Sequence, residues 1–121
     1  MEHVLKLHYK MDEPVFRKFA DIKVKEIAPG FFSSLIHTET NTINFIEVTK
    51  GSTIARHRHV HQQCAFALEG KFELVVDDIP QILEPGVFAV IPSNVWHGGT
   101  AITDCKLIDI FSPVREDYRQ L

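Results

Sequence analysis

The chain reads GSTIARHRHVHQQCAFALEG from Gly51 to Gly70. Within this stretch His57, His59 and His61 occupy alternate positions, and Gln63 follows two residues later. On an extended strand residues two apart point to the same face, so His57 and His59 can present both imidazoles to one point inside a barrel. Such a pair of imidazoles is suited to share a divalent metal ion.

The sequence around this stretch has the pattern of short β-strands. Residues 22–27 alternate, residues 42–49 are rich in β-branched side chains, and residues 71–76 place Phe72, Leu74 and Val76 on one face. Turn signals separate such segments at Pro29-Gly30, Lys50-Gly51, Glu69-Gly70, Asp77-Asp78, Pro85-Gly86 and Gly98-Gly99. This spacing predicts an all-β sandwich or closed barrel, with short helical pieces only at residues 13–20 and 115–121.

Length and composition restrict the function classes. A chain of 121 residues with 45% hydrophobic and 24% charged residues predicts one globular domain over residues 1–121. Its net charge of -3 gives no general attraction to nucleic acid or anionic lipid. The longest apolar runs, residues 64–68 and 87–91, are too short to span a membrane. With no secretory signal in view and only Cys64 and Cys105, we expect a cytoplasmic protein without a disulfide framework.

A second stretch completes a pattern with the first. Gly86 is followed by Pro92, Asn94 and His97. Together, residues 51–70 and 86–97 resemble the two-part motif of the cupins, in which the first part supplies two His and a Glu or Gln and the second supplies one more His. The resemblance implies a double-stranded β-helix, or jelly-roll barrel. It also implies one metal ion held by His57, His59, Gln63 and His97.

The glutamine in this implied ligand set changes the electrostatics of the site. Cupins more commonly have Glu at the position of Gln63, and with three neutral imidazoles and Gln a divalent ion keeps its full +2 charge. The site would then be a stronger Lewis acid and a better receptor for an anionic ligand. Gln62 is a competing ligand that would break the spacing, and His61 is expected at the rim. Three nitrogens and one oxygen leave Zn, Ni, Mn, Fe and Cu open.

A third feature lies in the tail. Residues 106–111 form an alternating strand in which Leu107, Asp109 and Phe111 share one face. Burying an acidic side chain between Ile108 and Ile110 is costly unless it is paired, hydrogen-bonded or catalytic. Residues 109–118 resemble the C-terminal signature of small cupins of the pectin degradation type, in which a metal cupin opens the ring of 4,5-unsaturated uronates. Val60 departs from that family, many of whose members have Pro there.

The resemblance implies that Asp109, Phe111 and Arg115 line the substrate site. From their chemistry we expect Asp109 to transfer the proton of the anomeric hydroxyl group, Arg115 to clamp the substrate carboxylate, and Phe111 to pack against the sugar. Asp109 and Arg115 could instead form a structural ion pair. The expected activity is a ring-opening isomerase acting on a small anionic sugar; a cupin oxygenase, a polyketide cyclase and a non-catalytic sugar-binding cupin are the alternatives.

Assembly is expected to be homodimeric. Exposed strand edges and residues 4–9 at the N-terminus could pair with a second copy, as small cupins commonly form homodimers.

Overall fold

The computed structural model describes residues 13–121, so the predicted pairing segment at residues 4–9 lies outside the described part. Within this described part ten strands follow one another: β1 Lys25–Ala28, β2 Phe31–His37, β3 Thr42–Val48, β4 Thr53–His57, β5 Gln62–Glu69, β6 Phe72–Val76, β7 Ile79–Leu83, β8 Phe88–Ile91, β9 His97–Ala101 and β10 Cys105–Ser112. A 3-10 turn, Phe19–Asp21, precedes them, and one helical turn, α1 Glu116–Arg119, follows.

The strands form two antiparallel sheets. One sheet has six strands in the order β1-β2-β3-β10-β5-β8, and the other has four in the order β4-β9-β6-β7. Because alternate side chains of each strand point between the sheets, a hydrophobic core fills the space between them. Its largest members are Phe31, Ile46, Phe72, Leu74, Leu83, Ile91 and Leu107. This jelly-roll arrangement confirms the all-β prediction.

Most strands match the sequence pattern, and the helical predictions match in part. Residues 42–49, 71–76 and 106–111 correspond to β3, β6 and β10, whereas β1 starts only at Lys25. The helix expected at residues 13–20 is wrong, since that region contains only the 3-10 turn at its end. The C-terminal helical piece is confirmed as α1.

One predicted turn is wrong. Gly98 and Gly99 lie inside β9 rather than between strands. A Cβ added at Gly98 would stand 2.8 Å from the Ile54 carbonyl oxygen, and one at Gly99 would stand 2.4 Å from the Phe72 ring. The glycines are therefore needed because β4 and β6 approach β9 closely, a tertiary requirement that turn statistics do not contain.

Candidate metal centre

His57 and His97 face each other across two neighbouring strands. They are direct Cα partners in the pairing of β4 with β9, and their ring centroids are 4.3 Å apart. Opposite residues of an antiparallel pair point to the same side of the sheet. Both imidazoles therefore point into the interior, although 39 residues separate them in the chain.

His59 joins this pair from a turn and not from a strand. β4 ends at His57, so the expectation that alternation along one strand places both residues is wrong. A hydrogen bond fixes the turn instead, because the backbone N–H of Asn94 donates to the His59 carbonyl at 2.8 Å. Asn94 has a φ of 62°, a left-handed conformation that Asn tolerates. The ligand atoms of His57, His59 and His97 lie within 4.8 Å of one another.

Backbone carbonyl groups orient all three imidazoles. The Nδ1–H of His57 donates to Ala55 O at 2.8 Å, that of His59 to His61 O at 3.0 Å, and that of His97 to Val95 O at 2.9 Å. A carbonyl oxygen only accepts, so each Nδ1 carries the proton and each Nε2 presents a lone pair.

The unpaired nitrogens fit a metal ion. The Nε2 of His97 is buried and has no hydrogen-bond partner among residues 13–121. An unpartnered buried nitrogen is costly, whereas bound to a cation it is satisfied. The three histidines could therefore hold a metal ion, and imidazole nitrogens alone do not decide its identity.

Gln63 lies beside the cluster, and Gln62 does not. Gln63 points inward from β5 and is buried, whereas Gln62 is exposed. The Oε1 of Gln63 is 3.2 Å from the Nε2 of His59. With the His59 proton on Nδ1, both atoms carry lone pairs, and a cation between the histidines and Gln63 would reconcile them.

The environment keeps the imidazoles of His59 and His97 neutral. Burial, assisted by the positive charge of Arg115, lowers the pKa of His59 to about 4. Burial also lowers the pKa of His97. Neutral imidazole is the form that binds metal, so these two side chains are ready to coordinate at physiological pH.

Asp109 lies on the inner face of β10, next to Gln63. It is 9% exposed, and burial raises its pKa to about 7, while a hydrogen bond from Gln63 and the charge of Arg115 act in the opposite direction. A carboxyl group with a pKa near the working pH can both accept and return a proton. The structure therefore places a titratable group beside the histidine cluster.

Arg115 is paired, but its partner is not Asp109. Its Nε and Nη2 donate to the two carboxylate oxygens of Asp117 at 3.1 and 2.6 Å. Its guanidinium lies 4.8 Å from the Phe111 ring centre and 3.7 Å from that of Tyr118. The ion pair considered between Asp109 and Arg115 is absent from the salt bridges of residues 13–121. The role of Asp117 was not predicted from the sequence.

One cavity is lined by these groups, with the exception of His59. The predicted residues His57, Gln63, His97, Asp109, Phe111 and Arg115 all line it, and so do Asn44 and Tyr118. Asn44 is fully buried, it is the cross-strand partner of Asp109, and neither atom of its amide has a hydrogen-bond partner among the described residues. Asn44 was not predicted as a site residue, although a polar residue at an inward position of the apolar strand β3 is the same anomaly that singled out Asp109.

Two further residues, His61 and Trp96, lie at the edge of the site. His61 contributes its carbonyl oxygen to His59, and its ring is 5.5 Å from the His59 ring. Trp96, next to His97, contacts the guanidinium groups of Arg56 and Arg58 at 4.5 and 4.7 Å.

No helix among residues 13–121 is long and apolar enough to cross a membrane.

Comparison with known proteins identifies the family. The family model of the cupin domain matches residues 44–111, which are more than half of the chain. This chain belongs to the cupin family. The cupin is 33% identical over 75 residues to the pectin degradation protein KdgF of Dickeya dadantii, an alignment that covers 60% of this chain and 68% of that protein.

Two solved structures share the fold over 88% of this chain. KdgF from Halomonas sp. has a TM-score of 0.80 and 27% identity, covering 88% of this cupin and 99% of that chain. An RmlC-like cupin from Shewanella frigidimarina has a TM-score of 0.81 and 29% identity, covering 88% and 96%. The predicted membership of the cupins, and the likeness to the pectin degradation type, are confirmed.

Proposed function

We propose that this cupin is a metal-dependent isomerase that opens the ring of 4,5-unsaturated uronates to the linear keto form. The observation that carries the proposal is the convergence of Asp109, Phe111 and Arg115 on the cavity that also contains His57 and His97. The two KdgF proteins it resembles support the substrate class, because one of them is named for pectin degradation.

The metal would be held by four side chains. His57, His59 and His97 supply the nitrogens, and Gln63 supplies an amide oxygen. A divalent ion bound there would contribute Lewis-acid stabilisation of negative charge on the oxygen atoms of the substrate. Because all four ligands are neutral, they leave the charge of the site available to an anionic sugar.

Asp109 moves the proton. Its carboxylate takes the proton of the anomeric hydroxyl group, the bond from the anomeric carbon to the ring oxygen breaks, and an aldehyde and an enolate result. The protonated Asp109 then returns the proton to the enolate carbon, which gives the ketone. The reaction conserves all atoms and needs no redox partner, so one acid–base group is sufficient.

Arg115 and Phe111 orient the sugar. The Nε and Nη2 of Arg115 are held by Asp117, which leaves Nη1 to bind the substrate carboxylate. The rings of Phe111 and Tyr118 both lie against the guanidinium, restrict its position and help to exclude water. The unpartnered amide of Asn44 offers a donor and an acceptor to a polar substrate group beside Asp109.

We also place the reaction in the cytoplasm. Cys64 and Cys105 are both free thiols, the state that a reducing compartment maintains.

The test follows unsaturated galacturonate by NMR after addition of the metal-loaded protein. We expect the ring-form alkene signal to disappear faster than without protein, and Asp109→Asn to slow this loss by at least about 100-fold with unchanged metal content. Acceleration that survives in Asp109→Asn contradicts the role of Asp109. Binding without turnover would identify a sugar-binding cupin, and oxygen consumption would identify an oxygenase.

A further inference from the structure

A β-bulge interrupts strand β4 directly before His57. On one side of it Ile54 pairs with Gly99 of β9, and on the other side His57 pairs with His97. From the first pair to the second, β4 advances by three residues and β9 by only two, so β4 contains one extra residue. An extra residue reverses the face of the sheet to which the following side chain points.

This extra residue decides the direction of His57. Ile54 packs against the core, whereas Ala55 and Arg56 are both exposed, although a regular strand would alternate. Without the bulge Arg56 would stand opposite His97, and the His57 side chain would point to solvent. The bulge therefore turns the His57 imidazole toward the other two histidines of the cluster.

The bulge also supplies the group that orients the His57 ring. The carbonyl oxygen of Ala55, inside the bulge, accepts the hydrogen bond from the Nδ1–H of His57 at 2.8 Å. The imidazoles of His59 and His97 donate to carbonyl groups that lie outside β4. Of the three imidazoles, that of His57 therefore depends on the bulge both for its direction and for its tautomer.

Gly98 makes room for the bulge. A Cβ at this position would stand 2.8 Å from the Ile54 carbonyl oxygen, 3.1 Å from the Ala55 carbonyl carbon and 3.1 Å from the Arg56 nitrogen. All three atoms belong to the backbone of the bulge and its approach. Gly98 does not have a positive φ, so close approach of this backbone, and not its own conformation, explains the glycine.

Three side chains on the outer surface hold the bulge from the other side. The guanidinium groups of Arg56 and Arg58 lie 4.5 and 4.7 Å from the centre of the Trp96 ring, directly before β9. Together these residues form the Trp96 cluster. Because the two arginines flank His57, both sides of this histidine are tied to the start of β9. The Trp96 carbonyl is held in turn by the backbone N–H of Asp77 at 2.9 Å.

We infer that the bulge in β4, with Gly98 behind it and the Trp96 cluster outside it, is a positioning device that fixes the direction and the tautomer of the His57 imidazole. Gly98 and Trp96 are positioning residues in this device and are not themselves ligands. The inference rests on the metal centre of the proposed function and not on the ring-opening reaction.

The first experiment records the imidazole nitrogens of the metal-free protein by NMR at alkaline pH. We expect His57 to carry its proton on Nδ1 in wild type. Gly98→Ala should displace the bulge, remove this hydrogen bond and let His57 populate the Nε2–H tautomer. His59 and His97 are internal controls and should keep the proton on Nδ1. A wild-type His57 protonated on Nε2, or an equal change of all three imidazoles in the variant, overturns the inference.

The second experiment measures Zn²⁺ affinity by competition with a chelating dye. Gly98→Ala and Trp96→Leu should each lower it at least about tenfold, the usual cost of disturbing a group that orients a histidine ligand. Trp96→Phe keeps an aromatic face for the arginines and should retain most of the affinity. The matched control is Thr100→Ala, which removes a 2.9 Å hydrogen bond to Thr53 across the same two strands and leaves the bulge untouched.

Trp96→Leu decides both experiments if Gly98→Ala does not fold. Wild-type affinity in the folded variants, or an equal loss in Thr100→Ala, overturns the inference. A wild type that binds no metal contradicts the proposed function, and the tautomer of His57 then decides whether the bulge orients it. Neither readout uses turnover, so failure of the ring-opening proposal is seen separately in the galacturonate assay.

Discussion

Asp117 binds Arg115 through both carboxylate oxygens, at 3.1 and 2.6 Å, from a position two residues further along the chain. Asp117 is largely exposed whereas Arg115 is 8% exposed, so a surface carboxylate fixes a buried cation that lines the cavity. This pair should be stronger than the exposed salt bridges of this protein, because its geometry is bidentate and one partner is buried.

We therefore expect Asp117→Asn to loosen the guanidinium of Arg115. The KM for unsaturated galacturonate should rise about tenfold, which corresponds to about 1.4 kcal/mol of lost binding, while kcat should change less. Steady-state kinetics measures the split. Glu116→Gln is the matched control, because the only salt bridge of Glu116 among residues 13–121 is with the exposed Arg119. An equal loss in both variants would contradict the assignment.

Removal of one imidazole should release the metal. His97→Ala should lower the affinity for a divalent ion by at least about tenfold, since metal binding needs the full ligand set. Equilibrium dialysis of chelator-stripped protein against Zn²⁺, Ni²⁺ and Mn²⁺ measures it. His37→Ala should bind as wild type does, because His37 is bound to Thr42 and lies outside the cluster.

Gln63→Glu should change metal binding and substrate binding in opposite directions. A carboxylate at this position adds one negative charge, which strengthens metal binding and weakens attraction of an anionic sugar. We expect metal affinity to rise about tenfold and the KM for the uronate to rise as well. A variant in which both affinities fall would show that Gln63 acts by shape and not by charge.

Asp109 should make stability depend on pH. Its pKa rises from 3.8 in the unfolded chain to about 7 in the folded protein, so the folded state binds more protons between these values. Its contribution is therefore fully present below about pH 4 and is lost as the pH rises through 7. The histidines with lowered pKa act with the opposite sign, so the difference between wild type and Asp109→Asn isolates the carboxyl group.

Thermal unfolding of metal-free protein at pH 5 and pH 8 measures this difference. We expect Asp109→Asn to be more stable than wild type at pH 8, by up to a few kcal/mol, and closer to wild type at pH 5. An equal difference at the two pH values would contradict the pKa assigned to Asp109.

Asn44→Leu should stabilise the fold and impair turnover. The buried amide of Asn44 lacks hydrogen-bond partners among residues 13–121, which costs about 1 to 3 kcal/mol. Leucine removes that cost and also removes the donor and acceptor from the cavity. Denaturant unfolding and the NMR assay on the same sample test both effects; unchanged turnover would show that Asn44 does not contact the sugar.

The local sequence pattern was sufficient to predict much of the fold and part of the site. The alternation in β6 and β10 predicted which residues point inward, because burial of one sheet face imposes a period of two. Asp109 was singled out because it occupies one of these inward positions, where burying a charge is costly. His97 required the resemblance to cupins, since its pairing with His57 is a long-range contact.

Other features depend on tertiary contacts that no local pattern contains. Gly98 and Gly99 were predicted as a turn because glycine pairs usually form one, and only the closeness of the neighbouring strands explains them in β9. Asp117 reaches Arg115 because of the path of the chain after β10. His59 is held by Asn94, a hydrogen bond between two loops that are far apart in sequence.

The direct pairing of His57 with His97 also determines when an ion can be acquired. A shift of β9 by one residue against β4 would turn the His97 ring out to solvent, so only the correctly registered sheet offers both nitrogens. An ion can therefore bind both nitrogens only once this pairing has formed. Because only the folded chain offers the complete site, a bound ion would stabilise it against unfolding.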